Sequence, residues 1–199
     1  MMKILIVATA LLTTTTVAAH AQASAQPSNW FSLYGLMYTG TSNLRDPDTN
    51  SDWRFDDNAF GLGASLHRQV ARSLMIGVDA SFARPEYERV DLGTGMLAAR
   101  GTATIATAMA NGRYGYAGGG DIGFYLTGGL GTVAYRLEDL DSWNADFALH
   151  AGTGLEYRFG GNKAVALEWG RTWGYHEEEG VGDGRQTHSA LKLIGRIGF

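Results

Sequence analysis

The chain has 199 residues, of which 28 are glycine and none is cysteine, and its formal net charge is -4. Each glycine inside a helix costs up to about 1 kcal/mol relative to alanine, so this composition disfavours a helical bundle. The lack of cysteine excludes disulfides and thiolate metal sites. The 16 Lys and Arg residues are spread over the whole chain and do not form the clustered basic patch that binding to nucleic acid requires.

The first residues have the pattern of a secretory signal peptide. Lys3 gives a positive start, residues 4–12 form an apolar run, and Ala19-His20-Ala21 offers a small-x-small cleavage site. This predicts a signal peptide over residues 1–21 and a mature domain over residues 22–199, and Ala23-Ser24-Ala25 offers a second cleavage site as late as residue 25. The apolar run is too short to span a bilayer as a helix, which needs about 20 residues.

The mature chain alternates apolar side chains with small, polar or charged ones. The clearest stretches are residues 57–67, 74–83 and 147–158, and residues 122–131 and 165–173 follow the same pattern. Strands can cross hydrocarbon only in a closed barrel, with apolar residues facing lipid and polar residues facing the interior. The sequence therefore predicts an all-β fold, a closed antiparallel up-and-down transmembrane barrel.

Two stretches have less distinct faces. In residues 102–114 one set of alternate side chains (one parity) is small and uncharged, whereas the other set includes Asn111 and Arg113. We assign the face with small side chains to lipid. Residues 30–38 are apolar on both parities, so either register is compatible with the sequence.

Long and short connections alternate along the chain. They are predicted at residues 39–56, 68–73, 88–100, 116–121, 138–143, 160–163 and 176–185. Outer-membrane barrels have short periplasmic turns and long outer loops, which puts both termini in the periplasm and gives an even number of strands, here eight of about 9 to 14 residues. Aromatic residues near the strand ends predict two interfacial belts. The periplasmic belt comprises Trp30, Tyr114, Tyr116, Phe124 and Tyr157, and the outer belt comprises Phe82, Tyr135, Trp143, Trp169, Trp173 and Tyr175.

The last strand ends on an aromatic residue. Leu193, Ile197 and Phe199 share the lipid parity, and the ending resembles the C-terminal signal that the barrel-assembly machinery recognises in bacterial outer-membrane barrels. Ile197 stands where that signal usually has an aromatic residue. Residues 30–199 as a whole resemble the small eight-stranded outer-membrane barrel superfamily, which includes the OmpA transmembrane domain and the OmpX/Ail/opacity-type proteins. The resemblance is carried mainly by residues 57–63, 152–159 and 191–199, and it implies a location in the bacterial outer membrane.

The predicted interior of the barrel is polar and charged. Eight strands enclose a lumen that side chains can just fill, and buried charges there need partners. The interior set is Asp79, Arg113, His150, Glu156, Arg158, Glu168, Lys192 and Arg196, together with His67. We expect Glu168 to pair with Lys192 and Glu156 to lie among the three arginines, so that the network plugs the lumen. A proton-linked or ion-conducting path is the alternative.

Enzymatic and metal-binding interpretations are weaker. Some small barrels modify lipid A, and His188 and Ser189 with Glu177, Glu178 or Glu179 supply suitable residue types. Adjacent residues on a strand point to opposite faces, so no catalytic residue is predicted. The acidic runs at positions 176–179 with 183, and at positions 46, 48, 52, 56 and 57, lack calcium-loop spacing and are interpreted as solvated loops; no metal or cofactor is predicted.

Arg171 has the lipid parity, between Trp169 and Trp173 near the predicted outer end of its strand. An arginine there can reach the interface and contact lipopolysaccharide phosphates. The expected function is that of a monomeric outer-membrane structural or surface-interaction protein that contacts outer-membrane lipid and binds an extracellular ligand through its loops. A narrow pore and a lipid A-modifying enzyme are the alternatives.

Overall fold

The computed structural model describes residues 28–41, 44–46, 50–56, 58–117, 121–138, 143–159, 161–178 and 181–199, with backbone only for 44–46, 116–117, 176–178 and 181–185. Eleven strands lie within these residues. They are β1 (Asn29–Thr41), β2 (Leu44–Asp46), β3 (Ser51–Phe55), β4 (Phe60–Ala71), β5 (Leu74–Ala83), β6 (Glu86–Asp91), β7 (Leu97–Ala117), β8 (Ile122–Leu137), β9 (Asn144–Phe159), β10 (Lys163–Glu178) and β11 (Val181–Gly198). Among the described residues, no helix is long and apolar enough to cross a membrane.

Eight of these strands close into an antiparallel barrel. Their order is β1-β4-β5-β7-β8-β9-β10-β11, and β11 pairs with β1 to complete the ring. The predicted fold class is confirmed. We call the end that carries Asn29 and Phe199 the terminal end, and the opposite end, where β2, β3 and β6 continue the sheet, the extended end.

The two faces of the barrel wall differ in polarity as the alternation predicts. Apolar residues such as Leu62, Val78, Leu130 and Leu167 are exposed on the outer face. The less clearly sided strand, β7, also has its small residues outward, because Ile105 and Met109 are buried inside. The assignment of its small parity to lipid is thus confirmed.

The register of β1 is decided by the width of the lumen. Tyr34 points inward and lies against Gly63 of β4, where an added Cβ would come within 2.2 Å of the tyrosine ring. Tyr125 of β8 and Gly154 of β9 form a second such pair, with 2.4 Å between the ring and an added Cβ. An interior this narrow accepts a large ring only opposite a residue that lacks a side chain.

Strand pairing continues beyond the barrel, and here the predicted loops and strand lengths are wrong. β2, β3, β6 and the first part of β7 form a sheet at the extended end, over much of residues 39–56 and 88–100. Trp53, Phe55, Tyr87 and Ala103 make its small core. β10 and β11 likewise run on as a ribbon through most of residues 176–185. These segments pair because an extended backbone gains hydrogen bonds outside the membrane too.

The predicted aromatic belts are partly wrong. Trp30 and Tyr135 point into the barrel and are buried. Trp30 belongs to the strand whose two parities are both apolar, and Tyr135 lies on the inward parity of β8. The exposed belt residues are Tyr114, Phe124 and Tyr157 towards the terminal end, and Phe82, Trp143, Trp169 and Tyr175 towards the extended end. Trp173 is half-buried, and the Tyr116 side chain lies outside the described residues.

Candidate functional site

Three arginines converge on Glu156 inside the terminal half of the barrel. Arg113 of β7 and Arg196 of β11 donate to Glu156 Oε2 at 2.6 and 2.5 Å, and Arg158 donates to Oε1 at 2.7 Å. Glu156 lies on β9, so the bonds from Arg113 and Arg196 each pass over an intervening strand. The structure thus brings Glu156 and its three predicted partners together.

Two of these arginines are also held by aromatic rings. The Arg113 guanidinium lies 3.3 Å from the centre of the Tyr125 ring, and that of Arg196 lies 5.1 Å from the Trp30 ring. Arg196 donates further to Ser32 Oγ at 3.3 Å and to Met75 Sδ at 3.4 Å. Such contacts fix the cations in the lumen beyond the attraction of the carboxylate alone.

A second group lies around Glu168, further along the lumen. Lys192 Nζ is 3.1 Å from Glu168 Oε1, and the Tyr125 hydroxyl donates to Oε2 at 3.1 Å. The His150 ring lies 3.9 Å from Glu168 Oε1 and bonds Thr172 at 3.1 Å through Nδ1. Tyr125 therefore links the two carboxylate groups, since its ring contacts Arg113 and its hydroxyl contacts Glu168.

Asp79 and His67 join neutral partners. The Tyr34 hydroxyl donates to Asp79 Oδ1 at 2.7 Å, and Lys192 lies 5.0 Å from the centre of the Tyr34 ring. His67 Nε2 bonds Asn111 Oδ1 at 2.8 Å. Asp79 is thus tied to the Glu168 group through a tyrosine and has no ion pair with another described residue.

Sequence reasoning missed several lumen residues. Tyr34 and Trp30 lie on the strand whose register the sequence leaves open. Tyr38, Tyr135 and His188 form another buried cluster towards the extended end, with 3.0 Å between the Tyr135 hydroxyl and His188 Nε2. Parity already places Tyr125, Tyr135 and His188 inward, although the predicted polar network of the lumen does not include them.

Cavities lie between these groups. A small one at the terminal end is lined by residues including Arg72, Arg113, Glu156 and Arg158. Two others follow along the lumen, and Asp79, Asn111 and Lys192 line both of them. The interior therefore contains small spaces interrupted by side chains.

The residues considered for catalysis or metal binding are not brought together among the described residues. His188 is buried inside the barrel, whereas Ser189 pairs with the outward Arg171. The side chains at positions 176–180 and 183, and at 46, 48 and 57, lie outside the described residues. Asp52 lies beside Arg54 at 3.5 Å, and no group of three metal-ligating side chains occurs in the described part of the chain.

The comparison that decides the family covers nearly the whole chain. A family model described as the outer membrane protein beta-barrel domain matches residues 9–191. The chain belongs to this family. Members of the outer membrane protein beta-barrel family reside in the bacterial outer membrane, with surface or structural roles, and the predicted location is confirmed at this level. No curated protein sequence matches the chain.

Solved structures of other bacterial outer-membrane proteins align with the chain. The crystal structure of Neisserial surface protein A aligns with a TM-score of 0.56 at 14% identity, over 86% of this chain and 97% of that one. OprG from Pseudomonas aeruginosa has a TM-score of 0.47 at 13% identity, over 89% and 97%. Ail, the attachment invasion locus protein of Yersinia pestis, has a TM-score of 0.45 at 13% identity, over 87% and 100%. At such identities, likeness to the Neisserial protein supports the barrel fold alone.

On the outer wall, the remaining predicted residues are exposed. Arg171 points outward and donates to Thr187 Oγ1 at 3.3 Å, next to the exposed Trp169. Leu193, Ile197 and Phe199 are exposed along one line of β11. All four residues therefore lie on the outer face of the barrel wall.

Proposed function

We propose that this protein is a non-enzymatic structural and surface-interaction barrel whose lumen is plugged. The supporting observation is that ion pairs cross the interior: Glu156 of β9 binds arginines from β7 and β11, and neither strand is its neighbour in the wall. Charges that are buried and mutually paired hold an arrangement in place, because freeing one of them leaves the other unpaired.

The proposed orientation puts both termini in the periplasm and the extended end outside the cell. The connection between β4 and β5 at the terminal end is a turn at Arg72 and Ser73, whereas the extended end carries additional strands with their own core. Short turns on the periplasmic side and longer segments outside are the rule for these barrels. The segments at the extended end are then available to an extracellular ligand.

Planar-bilayer conductance of the folded protein tests the plug. We expect no stepwise current from a preparation that shows a heat-modifiable band on electrophoresis, because ion pairs block the path. Glu156→Gln, folded to the same extent, is the matched variant, and we expect occasional openings from it. Steady conductance from the unmodified protein would refute the plug.

A narrow pore is the second candidate, and the row of cavities favours it. Because Asp79, Asn111 and Lys192 line two successive cavities, small side-chain rotations could join them. The pore would show ion-selective steps in the unmodified protein, and the selectivity would change in Lys192→Ala. Steps that are identical in this variant would argue against a path through the lumen.

The proposed lipid contact is Arg171 with a lipopolysaccharide phosphate. The residue is exposed on the outer wall beside Trp169, towards the extended end. Arg171→Ala should reduce the lipopolysaccharide that co-purifies with the barrel. Arg68→Ala, which removes an exposed cation near the terminal end, is the matched control. Equal retention by both variants would contradict the contact.

We further propose that the chain is monomeric and that β11 carries the assembly signal. Phe199, Ile197 and Leu193 form an exposed apolar line at the end of the chain. Phe199→Ala should slow insertion into vesicles that contain purified barrel-assembly machinery and should leave spontaneous insertion into detergent unchanged. A similar slowing in both systems would point to stability instead. Light scattering of the detergent complex gives the oligomeric state.

A further inference from the structure

The charges around Glu156 do not balance. Three guanidinium groups surround a single carboxylate, which leaves a formal excess of two positive charges in the terminal half of the lumen. The side chains of Arg196 and Glu156 are almost completely buried, at 1% and 3% exposure. An excess of like charge in such a place is unfavourable unless an anion compensates it.

The neighbouring acids do not supply that anion among the described residues. Glu168, the next carboxylate along the lumen, is already paired with Lys192. Asp79, which lies beyond Glu168, accepts a hydrogen bond from the Tyr34 hydroxyl. At the mouth, the Asp121 side chain is exposed to solvent, and only the Asp121 backbone carbonyl bonds Arg158, by accepting from its backbone N–H at 2.7 Å. Arg72 adds another cation at the same mouth.

Donors remain available on the side that faces the mouth. Arg196 is fully engaged with Glu156, Ser32 and Met75, but Arg158 binds Glu156 only through Nε. Its side chain is 31% exposed, and its two Nη groups make no hydrogen bond to another described residue. The small cavity at this mouth is lined by residues that include Arg158, Arg113, Arg72 and Ser73. Glu156 also lines it, but both of its oxygens are covered by arginine donors.

We propose that this mouth cavity binds a small free oxyanion of the phosphate or sulfate class. Guanidinium groups present paired N–H donors that match the oxygens of such anions, and the attraction is stronger in a partly enclosed site than in open water. The anion would bridge Arg158 and Arg72 and neutralise the excess charge around Glu156. This role goes beyond that of a rigid plugged platform, since it gives the barrel a ligand on its terminal side.

The test is the thermal stability of the folded full chain in zwitterionic detergent, titrated with sodium phosphate against sodium chloride at equal ionic strength. A ligand that binds only the folded state raises Tm with its concentration. We expect a saturable rise in phosphate and a smaller one in chloride. Arg158→Gln should weaken the apparent affinity for phosphate at least tenfold, by about 1.4 kcal/mol or more.

Lys163→Gln is the matched control, because Lys163 is an exposed cation at the same end but on the outer face. Its apparent affinity should stay within twofold of the unmodified chain. If Arg158→Gln does not give a heat-modifiable band, Arg72→Gln replaces it, since Arg72 lines the cavity without bonding Glu156. No saturable rise in the unmodified chain, or an unchanged rise in the cavity variants, would overturn the proposal.

A lipid headgroup carries the same phosphate chemistry, and a parallel titration with dihexanoyl phosphatidic acid below its micelle concentration separates the two sources. If the ligand is a free anion, inorganic phosphate alone should give the full rise in Tm, and the lipid at the same concentration of charge should raise Tm no further. A Tm rise that requires the lipid would overturn the assignment to a free oxyanion.

Discussion

The barrel wall and the extension beyond it place their apolar side chains on opposite faces of the same strand. β7 passes through both. Its outward residues change from polar to apolar on entering the barrel, in the order Arg100, Thr102, Thr104, Ala106, Ala108 and Ala110. Its inward residues change in the opposite sense, in the order Gly101, Ala103, Ile105, Thr107, Met109, Asn111 and Arg113. The solvent outside therefore decides which face is apolar: hydrocarbon around the barrel and water around the extension.

The change of sidedness falls on one level of the wall. Thr104 pairs with Arg136 of β8, and directly beneath them Phe82, Ala106 and Ala134 are paired across three strands. Polar residues above this row and apolar residues below it mark the edge of the apolar band. Beyond this edge the outer face of the extension is polar, so its apolar residues can form an inner core as in a water-soluble protein.

The two regions also use ion pairs differently. Glu156 is buried with its arginines, whereas Glu88 and Arg100 form a pair on the outer face of the extension with 45% and 63% of their side chains exposed. Water screens the second pair and contributes little screening to the first. The same kind of contact should therefore have very different energetic weight in the two places.

The largest expected effect comes from Glu156→Gln. Removing one partner of a buried ionic group costs about 3–5 kcal/mol, because the remaining charges are left uncompensated. Urea unfolding in lipid vesicles, followed by tryptophan fluorescence, measures the change. Glu88→Gln is the control and should change the free energy of unfolding by at most about 1 kcal/mol. If both variants lost similar amounts of unfolding free energy, the inferred difference between buried and exposed ion pairs would be wrong.

Tyr87→Ala should destabilise the extension by an amount similar to other large-to-small core changes, about 3–5 kcal/mol, but only locally. Tyr87 is almost fully buried between Trp53 and Phe55. We expect faster trypsin cleavage after Arg89 and Arg100 and an unchanged heat-modifiable band. Leu97→Ala, at an exposed position, should leave cleavage unchanged. Loss of the band in Tyr87→Ala would mean that the barrel depends on the extension.

Leu130→Arg tests the apolar face of the wall. Leu130 is exposed midway along β8, and an arginine near the middle of the bilayer costs about 2–4 kcal/mol. Thr104→Arg, at the edge of the apolar band, should cost about 0–1 kcal/mol. Both are measured as the free energy of unfolding in vesicles. Equal costs would place the band elsewhere.

The smallest effect concerns the turn between β6 and β7. Two hydrogen bonds from Thr94, at 2.8 and 3.0 Å, lower the pKa of the Asp91 carboxyl. Because the pKa is lowered in the folded state, ionised Asp91 stabilises the turn at pH values above its ordinary pKa. This contribution disappears as the pH falls through the lowered pKa. The Thr94 amide should therefore exchange faster at pH 3 than pH-corrected rates from pH 6 predict. Asp91→Ala should remove that difference.

Most strands of the barrel could be predicted because their successive residues alternate in polarity. In β4, β5 and β9 the polarity of successive residues gives both the strand and its lipid face. The ion pair of Glu168 with Lys192 follows from inward parity plus neighbouring strands, and the arginines around Glu156 follow from inward parity at the same end of the barrel. Trp30 and Tyr135 could not be placed correctly from a position near a strand end, because an aromatic residue suits either an interface or a packed interior. The extension was missed since its strands are short and lie in segments rich in polar residues.

By itself, the sequence determined the sidedness of most of the wall, since hydrocarbon strongly disfavours charged side chains and this demand acts on every second residue independently. Tertiary structure alone decided the register of β1, the inward rings opposite Gly63 and Gly154, and the reach of Arg113 and Arg196 across an intervening strand to Glu156. Those features depend on how the strands are staggered around a closed ring. The stagger results from all eight pairings together, and no single stretch of sequence specifies it.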